Sequence, residues 1–329
     1  MIITHPPYEK DDALPSPSRT LSTAAQVEDI FYENFLKFFQ TAEERRRWDI
    51  DRDVPWDKVN PESSDLTADI VQSFSAVEMF LPDYTSKIME LVRRSRGRAW
   101  FQANWGYEES KHSMVLEEWL LRSGKRTQEQ IKEFERTLLG AEWDPDFRHP
   151  RQMIIYTMIQ ELATGLNYTN LRRRAEEEGD HALTRLLKWI SADEMAHYNF
   201  FRKGVKAYLA LEPEETVADL KHVFDNFQMP AHYQIPDWEA RGRQIEAAGI
   251  YGPRIYLQKI RLPILEDLGV TRRQLKEAGV PGHMADEMAD RAEQKAEDEA
   301  SLRREARYSV PASPEPLHPT ARRRLLPEN

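Results

Sequence analysis

The middle of the chain carries apolar residues at intervals of three and four. This spacing persists from about residue 22 to residue 211, and we find no convincing alternation of apolar and polar residues that would indicate a half-buried strand. Only Pro82, Pro145 and Pro150, of 20 prolines, lie between residues 65 and 212. Because proline breaks helix interiors, the pattern predicts an all-α fold.

Six long helices account for this pattern. Gly124 and Gly179 favour helix ends, and Pro150 suits a first helical turn. The predicted helices cover about residues 22–46, 65–94, 97–123, 127–140, 150–178 and 181–211.

The two ends of the chain differ from this middle in composition. Residues 1–20 contain four prolines and 309–329 contain five in a polar, Arg-containing stretch, so we expect two disordered arms. Prolines also interrupt residues 213–270, which predicts short helices packed around the ends of a bundle. We therefore expect a main domain over 21–270, a charged helical extension over 271–308, and the tail from 309.

Composition excludes several classes of protein. The 46 Lys and Arg residues against 56 Asp and Glu residues give a net charge of −10, which argues against nucleic-acid binding. The absence of cysteine excludes disulfides, thiolate zinc sites and iron–sulfur clusters. No apolar run is long enough for a membrane span, and the first residues lack a signal sequence, so we expect a cytoplasmic protein.

Two segments share the pattern acid-Glu-x-x-His. They contain Glu109 with His112, and Glu194 with His197, and residues three apart on a helix lie on one face. Each pair can therefore present a carboxylate and an imidazole to one metal ion. The pattern alone is weak, because chance predicts about one Glu-x-x-His and the chain holds four. The other two enclose Gly179 or Pro316 and cannot keep helical geometry.

Two single glutamates complete a repeated arrangement. Glu78 and Glu161 stand on predicted apolar helix faces, 31 and 33 residues before Glu109 and Glu194. A carboxylate on such a face is costly unless it is protonated, paired or bound to a cation. Four helices with these residues match the ligand set of two-metal carboxylate bundles. The sequence thus predicts a site for two iron or manganese ions.

At these positions the chain resembles a known family, the soluble acyl-[acyl carrier protein] desaturases, over about residues 25–265. The resemblance rests on four segments in order: SAVEMFLPDY, NWGYEESKHSMVLEEWL, IQELATGLNYTNLRRRA and ISADEMAHYNFF. It implies a ferritin-like four-helix bundle with additional flanking helices. It also implies that two irons, with manganese possible, are bound by Glu78, Glu109, His112, Glu161, Glu194 and His197.

The resemblance implies further roles within that site. Glu109 and Glu194 would bridge the metals, and Thr164 would place its hydroxyl beside the oxygen-binding face. Asp193 would hydrogen-bond a ligand histidine and relay electrons from a surface tryptophan, Trp48, with Trp56 as the alternative. Thr164 has a simpler interpretation as well, since helical threonines often bond to their own backbone.

The implied activity is the O2-dependent introduction of a cis double bond into a fatty acyl chain on acyl carrier protein. Electrons would come from ferredoxin or a similar carrier, and the resemblance implies a homodimer. Candidate basic patches for the acidic carrier are residues 93–98 and 172–174. Candidate linings for the acyl channel are Phe74, Met79, Met114, Leu116, Met153, Met158 and Phe201.

Other interpretations of the ligand set remain open. Another diiron oxygenase, such as an acyl hydroxylase, differs from a desaturase only in how the substrate radical is resolved. A ribonucleotide reductase small subunit would typically carry a radical tyrosine four residues after the first histidine, where this chain has Leu116. A ferritin-like iron store would be shorter, and a bundle that binds metal without catalysis is a further alternative.

Overall fold

A computed structural model describes residues 22–285. This part of the chain contains helices joined by turns and no β-strand, which confirms the predicted all-α fold. Its residues up to Pro281 belong to one compact unit. The predicted arms, 1–20 and 309–329, and most of the predicted extension 271–308 lie outside the described residues.

Between residues 22 and 212 the structure contains eight α-helices. In chain order they are α1 (Thr23–Thr41), α2 (Ile50–Asp53), α3 (Asp65–Glu78), α4 (Leu81–Val92), α5 (Arg96–Arg122), α6 (Gln128–Leu139), α7 (Pro150–Glu177) and α8 (His181–Leu211). The helices that follow are α9 (Pro213–Asn226), α10 (Trp238–Ala247), α11 (Pro253–Ile255), α12 (Leu262–Leu268) and α13 (Arg272–Glu277). Ala42–Arg46 and Tyr256–Arg261 are π-helical, and Trp56–Lys58 is a 3-10 turn.

Local sequence explains where the long helices begin and end. Pro150 occupies the first turn of α7, where its missing N–H has no helical partner to lose. The side chain of Asp180 caps α8 by accepting a hydrogen bond from the Leu183 N–H at 2.7 Å. Gly124 and Gly179 follow α5 and α7 with φ angles of 70° and 72°, which favour glycine. The turn at Gly179 allows α7 and α8 to pack along each other.

The prediction of one helix over 65–94 was wrong. Helix α3 ends at Glu78, and α4 begins at Leu81 with Pro82 in its first turn. Pro82 has no N–H to bond with the carbonyl of residue 78, so the α-helical ladder stops there. The break places Glu78 at a helix end rather than in a helix interior.

Four helices, α3, α5, α7 and α8, form the bundle. Helix α7 packs along α8, α3 packs along α5, and α1 packs against α5 and α8. The apolar core forms two clusters, one containing Phe101 and Phe201 and the other containing Leu116 and Ile190. On α5 and α8 the polar residues of the site lie between these clusters. No helix within residues 22–285 is long and apolar enough to cross a membrane.

Candidate metal centre

The structure brings the six predicted ligands together in the middle of the bundle. All six side chains are buried. They are Glu78 on α3, Glu109 and His112 on α5, Glu161 on α7, and Glu194 and His197 on α8. Helices α3 and α7 therefore each contribute one glutamate, and α5 and α8 each contribute a glutamate and a histidine, as the repeated sequence unit predicted.

The six residues form two groups that share two members. One group is Glu78, Glu109, His112 and Glu194, and the other is Glu109, Glu161, Glu194 and His197. Within each group the potential ligand atoms lie within 4.8 Å of one another. Glu109 and Glu194 belong to both groups, so the geometry suits two adjacent cations bridged by two carboxylates.

Unsatisfied polar atoms test whether a metal pair fits this cage. Both side-chain oxygens of Glu194, Oε1 of Glu109 and Oε2 of Glu161 are buried without a hydrogen bond. Nδ1 of His197 is also unsatisfied, although it lies 3.0 Å from Glu109 Oε1 without hydrogen-bond geometry. Buried carboxylates in this state are costly unless a cation balances them. Carboxylate oxygen and imidazole nitrogen together suit iron or manganese, so the donor set fits such a pair.

The cage contains carboxyl groups of two kinds, two whose pKa is raised and one whose pKa is lowered. Burial raises the pKa of Glu78 and of Glu161, and the charge of Glu194 raises both further. Burial also opposes ionisation of Glu194, but the imidazoles of His112 and His197, 3.4 and 3.7 Å from its oxygens, outweigh it and lower its pKa. Burial disfavours the charged imidazoles, yet the carboxylates around them raise the pKa of both histidines. Without metal, the cage therefore retains protons that bound cations would displace.

A second carboxylate supports each histidine from the opposite helix. His112 Nε2 lies 3.3 Å from Asp193 Oδ2, and His197 Nε2 lies 2.7 Å from Glu108 Oε2. Such contacts fix the orientation of a ligand imidazole. Sequence reasoning proposed this role for Asp193 and missed Glu108, although both motifs carry an acid directly before their glutamate. That repetition was the available signal.

Arg46 joins these two outer carboxylates. It donates hydrogen bonds of 2.9 and 3.0 Å to Glu108 and also pairs with Asp193. The adjacent Arg47 donates to Glu108 at 2.5 Å. Burial opposes ionisation of Glu108 and Asp193, but the histidines and Arg46 outweigh it and lower the pKa of both carboxyls. The sequence did not predict the role of Arg46, because the π-helical turn that positions it has no periodic signature.

Trp48 contacts the site but does not lie on the surface. Its Nε1 donates to Asp193 Oδ2 at 2.7 Å, whereas Trp56 Nε1 donates to the Ile50 carbonyl at 2.9 Å. The expectation that Trp48 is a surface residue was wrong, since only 4% of it is exposed. The half-buried Trp189 stacks on it, with ring centroids 6.5 Å apart and 8° between planes.

Aromatic donors bind the two glutamates that are not shared. The Tyr168 hydroxyl donates to Glu78, and Trp105 Nε1 donates to Glu161 at 2.9 Å. The sequence pointed only to position 116 for a tyrosine near the cage, and that residue is a leucine. Tyr168 reaches it from α7 instead, a contact between residues 90 positions apart.

Thr164 lines a cavity with its hydroxyl turned to its own helix. Thr164 Oγ1 donates to the Gln160 carbonyl at 2.9 Å, which is the simpler of the two interpretations given above. It also accepts a longer bond of 3.4 Å from Gln160 Nε2. Thr164 therefore lies beside the cavity, and its hydroxyl donates its hydrogen bond to the backbone of its own helix.

A cavity of about 980 Å³ adjoins the cage. Its wall from α3 and α7 includes Phe74, Val77, Glu78, Thr164 and Tyr168, and its other wall is formed by residues between Phe227 and Tyr256. Of the predicted channel residues only Phe74 lines it. Met114 is 49% exposed instead, while Leu116, Met153, Met158 and Phe201 pack in the core. Helical periodicity identifies these residues as lying on apolar helix faces. It does not show whether an apolar side chain packs in the core or lines a cavity.

Comparisons with known proteins agree with this architecture. The Mycobacterium tuberculosis protein called acyl-[acyl-carrier-protein] desaturase DesA1 is 26% identical over 286 residues, covering 81% of this chain and 82% of that protein. The acyl-[acyl-carrier-protein] 6-desaturase of Thunbergia alata is 28% identical over 259 residues, covering 70% of this chain and 67% of that protein.

A solved structure and a family model complete the comparison. The X-ray structure of the acyl-ACP desaturase DesA2 from M. tuberculosis superposes with a TM-score of 0.58 at 19% identity, covering 78% of this chain and 98% of that one. This likeness confirms the predicted ferritin-like bundle. Residues 62–309 match the family model described as fatty acid desaturase. The chain therefore belongs to the fatty acid desaturase family, a family of oxidoreductases.

Proposed function

We propose that the protein is an O2-dependent desaturase that introduces a cis double bond into a fatty acyl chain carried on acyl carrier protein. One observation carries the proposal: Glu78 belongs both to the cage and to the wall of the adjoining cavity. A cavity of about 980 Å³ with a mainly apolar lining suits an alkyl chain. The names of the related desaturases support acyl carrier protein as the substrate carrier.

The cofactor in this proposal is a pair of iron ions, with manganese as the alternative. Glu109 and Glu194 would bridge the ions, because they are shared by both groups of ligand atoms. Glu78 and His112 would complete one position, and Glu161 and His197 the other. When bound, the pair supplies the oxidation by O2 that removes two hydrogen atoms from neighbouring carbons.

The chain itself supplies position, shielding and fixed charge. Phe74 and Val77 present apolar surface to an acyl chain beside Glu78 and keep water from it. Asp193 and Glu108 hold the imidazoles of His112 and His197 in place. Arg46 balances the charge of both outer carboxylates, so they stay ionised as hydrogen-bond acceptors.

Electrons for the reaction would come from ferredoxin or a similar carrier. The chain has no cysteine for an iron–sulfur cluster of its own. Trp48, Asp193 and His112 form a continuous line of hydrogen bonds that ends at the cage, which supports Trp48 and Asp193 as the entry route.

The partner surface is part of the proposal. Several arginines of the candidate patches are engaged within the chain, since Arg98 pairs with Glu28 and Arg174 with Glu178. Arg93 and Arg94 are exposed at the end of α4, and we assign the acidic carrier protein to this end. A homodimer and a cytoplasmic location stay predictions.

A product analysis tests the proposed function. Iron-loaded protein is incubated with stearoyl acyl carrier protein, reduced ferredoxin, its reductase and O2, and the acyl product is measured by mass spectrometry. Loss of two hydrogen atoms supports a desaturase, whereas gain of one oxygen atom would identify a hydroxylase. Glu161→Gln should abolish turnover, and Glu118→Gln, a substitution in a helical surface pair with Arg122, should retain it.

A further inference from the structure

The two glutamates that are not shared are held in the same way on opposite sides of the cage. Glu78 accepts a hydrogen bond from the Tyr168 hydroxyl, and Glu161 accepts one from Trp105 Nε1 at 2.9 Å. Each belongs to only one of the two groups of ligand atoms. Tyr168 and Trp105 thus each hold the carboxylate of a single metal position.

The two aromatic donors differ in what else they touch. Tyr168 lines the cavity, and its ring packs edge-on against Phe74, which also lines it, with centroids 5.4 Å apart. Trp105 is not part of the cavity lining. A chain in the cavity would therefore contact the ring whose hydroxyl holds Glu78, and would not contact the ring that holds Glu161.

We propose that Tyr168 is a positioning residue that couples occupancy of the cavity to the metal position formed by Glu78 and His112. This inference rests on the proposed function, because that function names the acyl chain as the occupant. Only 1% of Tyr168 is exposed, and its ring is rigid, so a displacement at the cavity wall moves the hydroxyl as well. Hydrogen bonds depend on distance and angle, so the carboxylate of Glu78 must follow. The coupling is reciprocal: an acyl chain changes metal affinity at this position, and metal there changes affinity for the chain.

The first test measures Mn²⁺ binding under anaerobic conditions, with free Mn²⁺ counted by electron paramagnetic resonance. Tyr168→Phe should weaken one of two Mn²⁺ positions by about 10–100-fold and leave the other unchanged. Trp105→Phe should weaken one position to a similar degree. Tyr84→Phe is the matched control, because the Tyr84 hydroxyl donates to the Val77 carbonyl at 3.0 Å and to no carboxylate of the cage.

The second test repeats these titrations with and without stearoyl acyl carrier protein. The bound acyl chain should shift Mn²⁺ affinity at one position by about 5-fold or more in the parent protein. The same shift should occur in the Trp105→Phe variant and in the Tyr84→Phe variant. In Tyr168→Phe most of this shift should disappear, because only the direct contact of the chain with Glu78 at the cavity wall remains. A role in packing alone would lower stability without removing the shift, and thermal unfolding of the metal-free proteins measures that effect separately.

The outcomes separate this inference from the proposed function. If the parent binds two metal ions and desaturates, but Tyr168→Phe keeps both affinities or the shift, the coupling role is overturned and the function stands. A parent that shows no shift on addition of the acyl carrier also overturns it. A parent that binds no metal overturns both. Should Tyr168→Phe not fold, Tyr168→Leu removes the same hydroxyl and is held to the same outcomes.

Discussion

The Oε2 atom of Glu108 lies 2.7 Å from the Nε2 atom of His197, although the two residues belong to helices α5 and α8. The reciprocal contact, from Asp193 on α8 to His112 on α5, spans 3.3 Å. Each helix therefore holds the histidine of the other. A shift of either helix would disturb both imidazoles, so the two motifs act as one unit.

Replacement of Glu108 tests this crossed arrangement. Glu108→Gln removes a charged partner of the His197 imidazole, and we expect metal affinity to fall by about 10–100-fold. Anaerobic titration with Fe²⁺ or Mn²⁺ measures the change. Glu118→Gln on the same helix is the control, since Glu118 pairs at the surface with Arg122. Parent-like affinity in Glu108→Gln would show that the contact does not support the site.

Arg46 provides a prediction about stability. Its side chain is 11% exposed and pairs with Glu108 and Asp193, so Arg46→Met leaves two buried carboxylates without this cation. Removing one partner of a buried pair typically costs about 3–5 kcal/mol. Urea unfolding of the metal-free protein measures the loss. The exposed Arg52, replaced in the same way, should change stability much less than Arg46, because water screens its pair with Asp53. Equal effects of the two substitutions would contradict the assignment.

Metal binding should depend on pH in a defined direction. Because burial and neighbouring charges raise the pKa of Glu78 and Glu161 in the metal-free cage, both retain protons that metal must displace. Affinity should therefore rise with pH, and binding should release protons into a weakly buffered solution containing an indicator. Glu78→Gln should release fewer protons than the parent. Affinity that is flat or falls as the pH rises would exclude this proton balance.

Trp48 and Trp56 can be separated by the kinetics of reduction. Trp48→Phe removes the hydrogen bond to Asp193 and should slow reduction of the oxidised metal centre by ferredoxin about 10–100-fold. Trp56→Phe should leave this rate unchanged, since Trp56 bonds to the Ile50 carbonyl. A small chemical reductant should reduce both variants as fast as the parent. Equal rates with ferredoxin in Trp48→Phe would reject the route.

Local patterns in the sequence predict most of the long helices and the six residues of the cage. A helical period of 3.6 residues places Glu109 and His112 on one face of α5, independently of how that helix packs in the fold. The break after Glu78 follows from Pro82, because proline has no backbone N–H to donate to the carbonyl of residue 78. These features depend on residues close together in the chain.

Contacts between distant residues account for what sequence reasoning missed. Arg46 reaches Asp193 across 147 positions, and Tyr168 reaches Glu78 across 90. Neither contact has a periodic signature, because it depends on how helices are oriented after they pack. The same reason explains the cavity: an apolar residue such as Met158 looks identical in sequence whether it fills the core or lines a space.

Anomalous diffraction from crystals of the iron-loaded protein tests the central claim most directly. We predict two iron peaks per chain, about 3.5–4 Å apart, between the carboxylates of Glu109 and Glu194. One peak should lie beside His112 and the other beside His197. Peaks located elsewhere, or no peak among these side chains, would contradict the account.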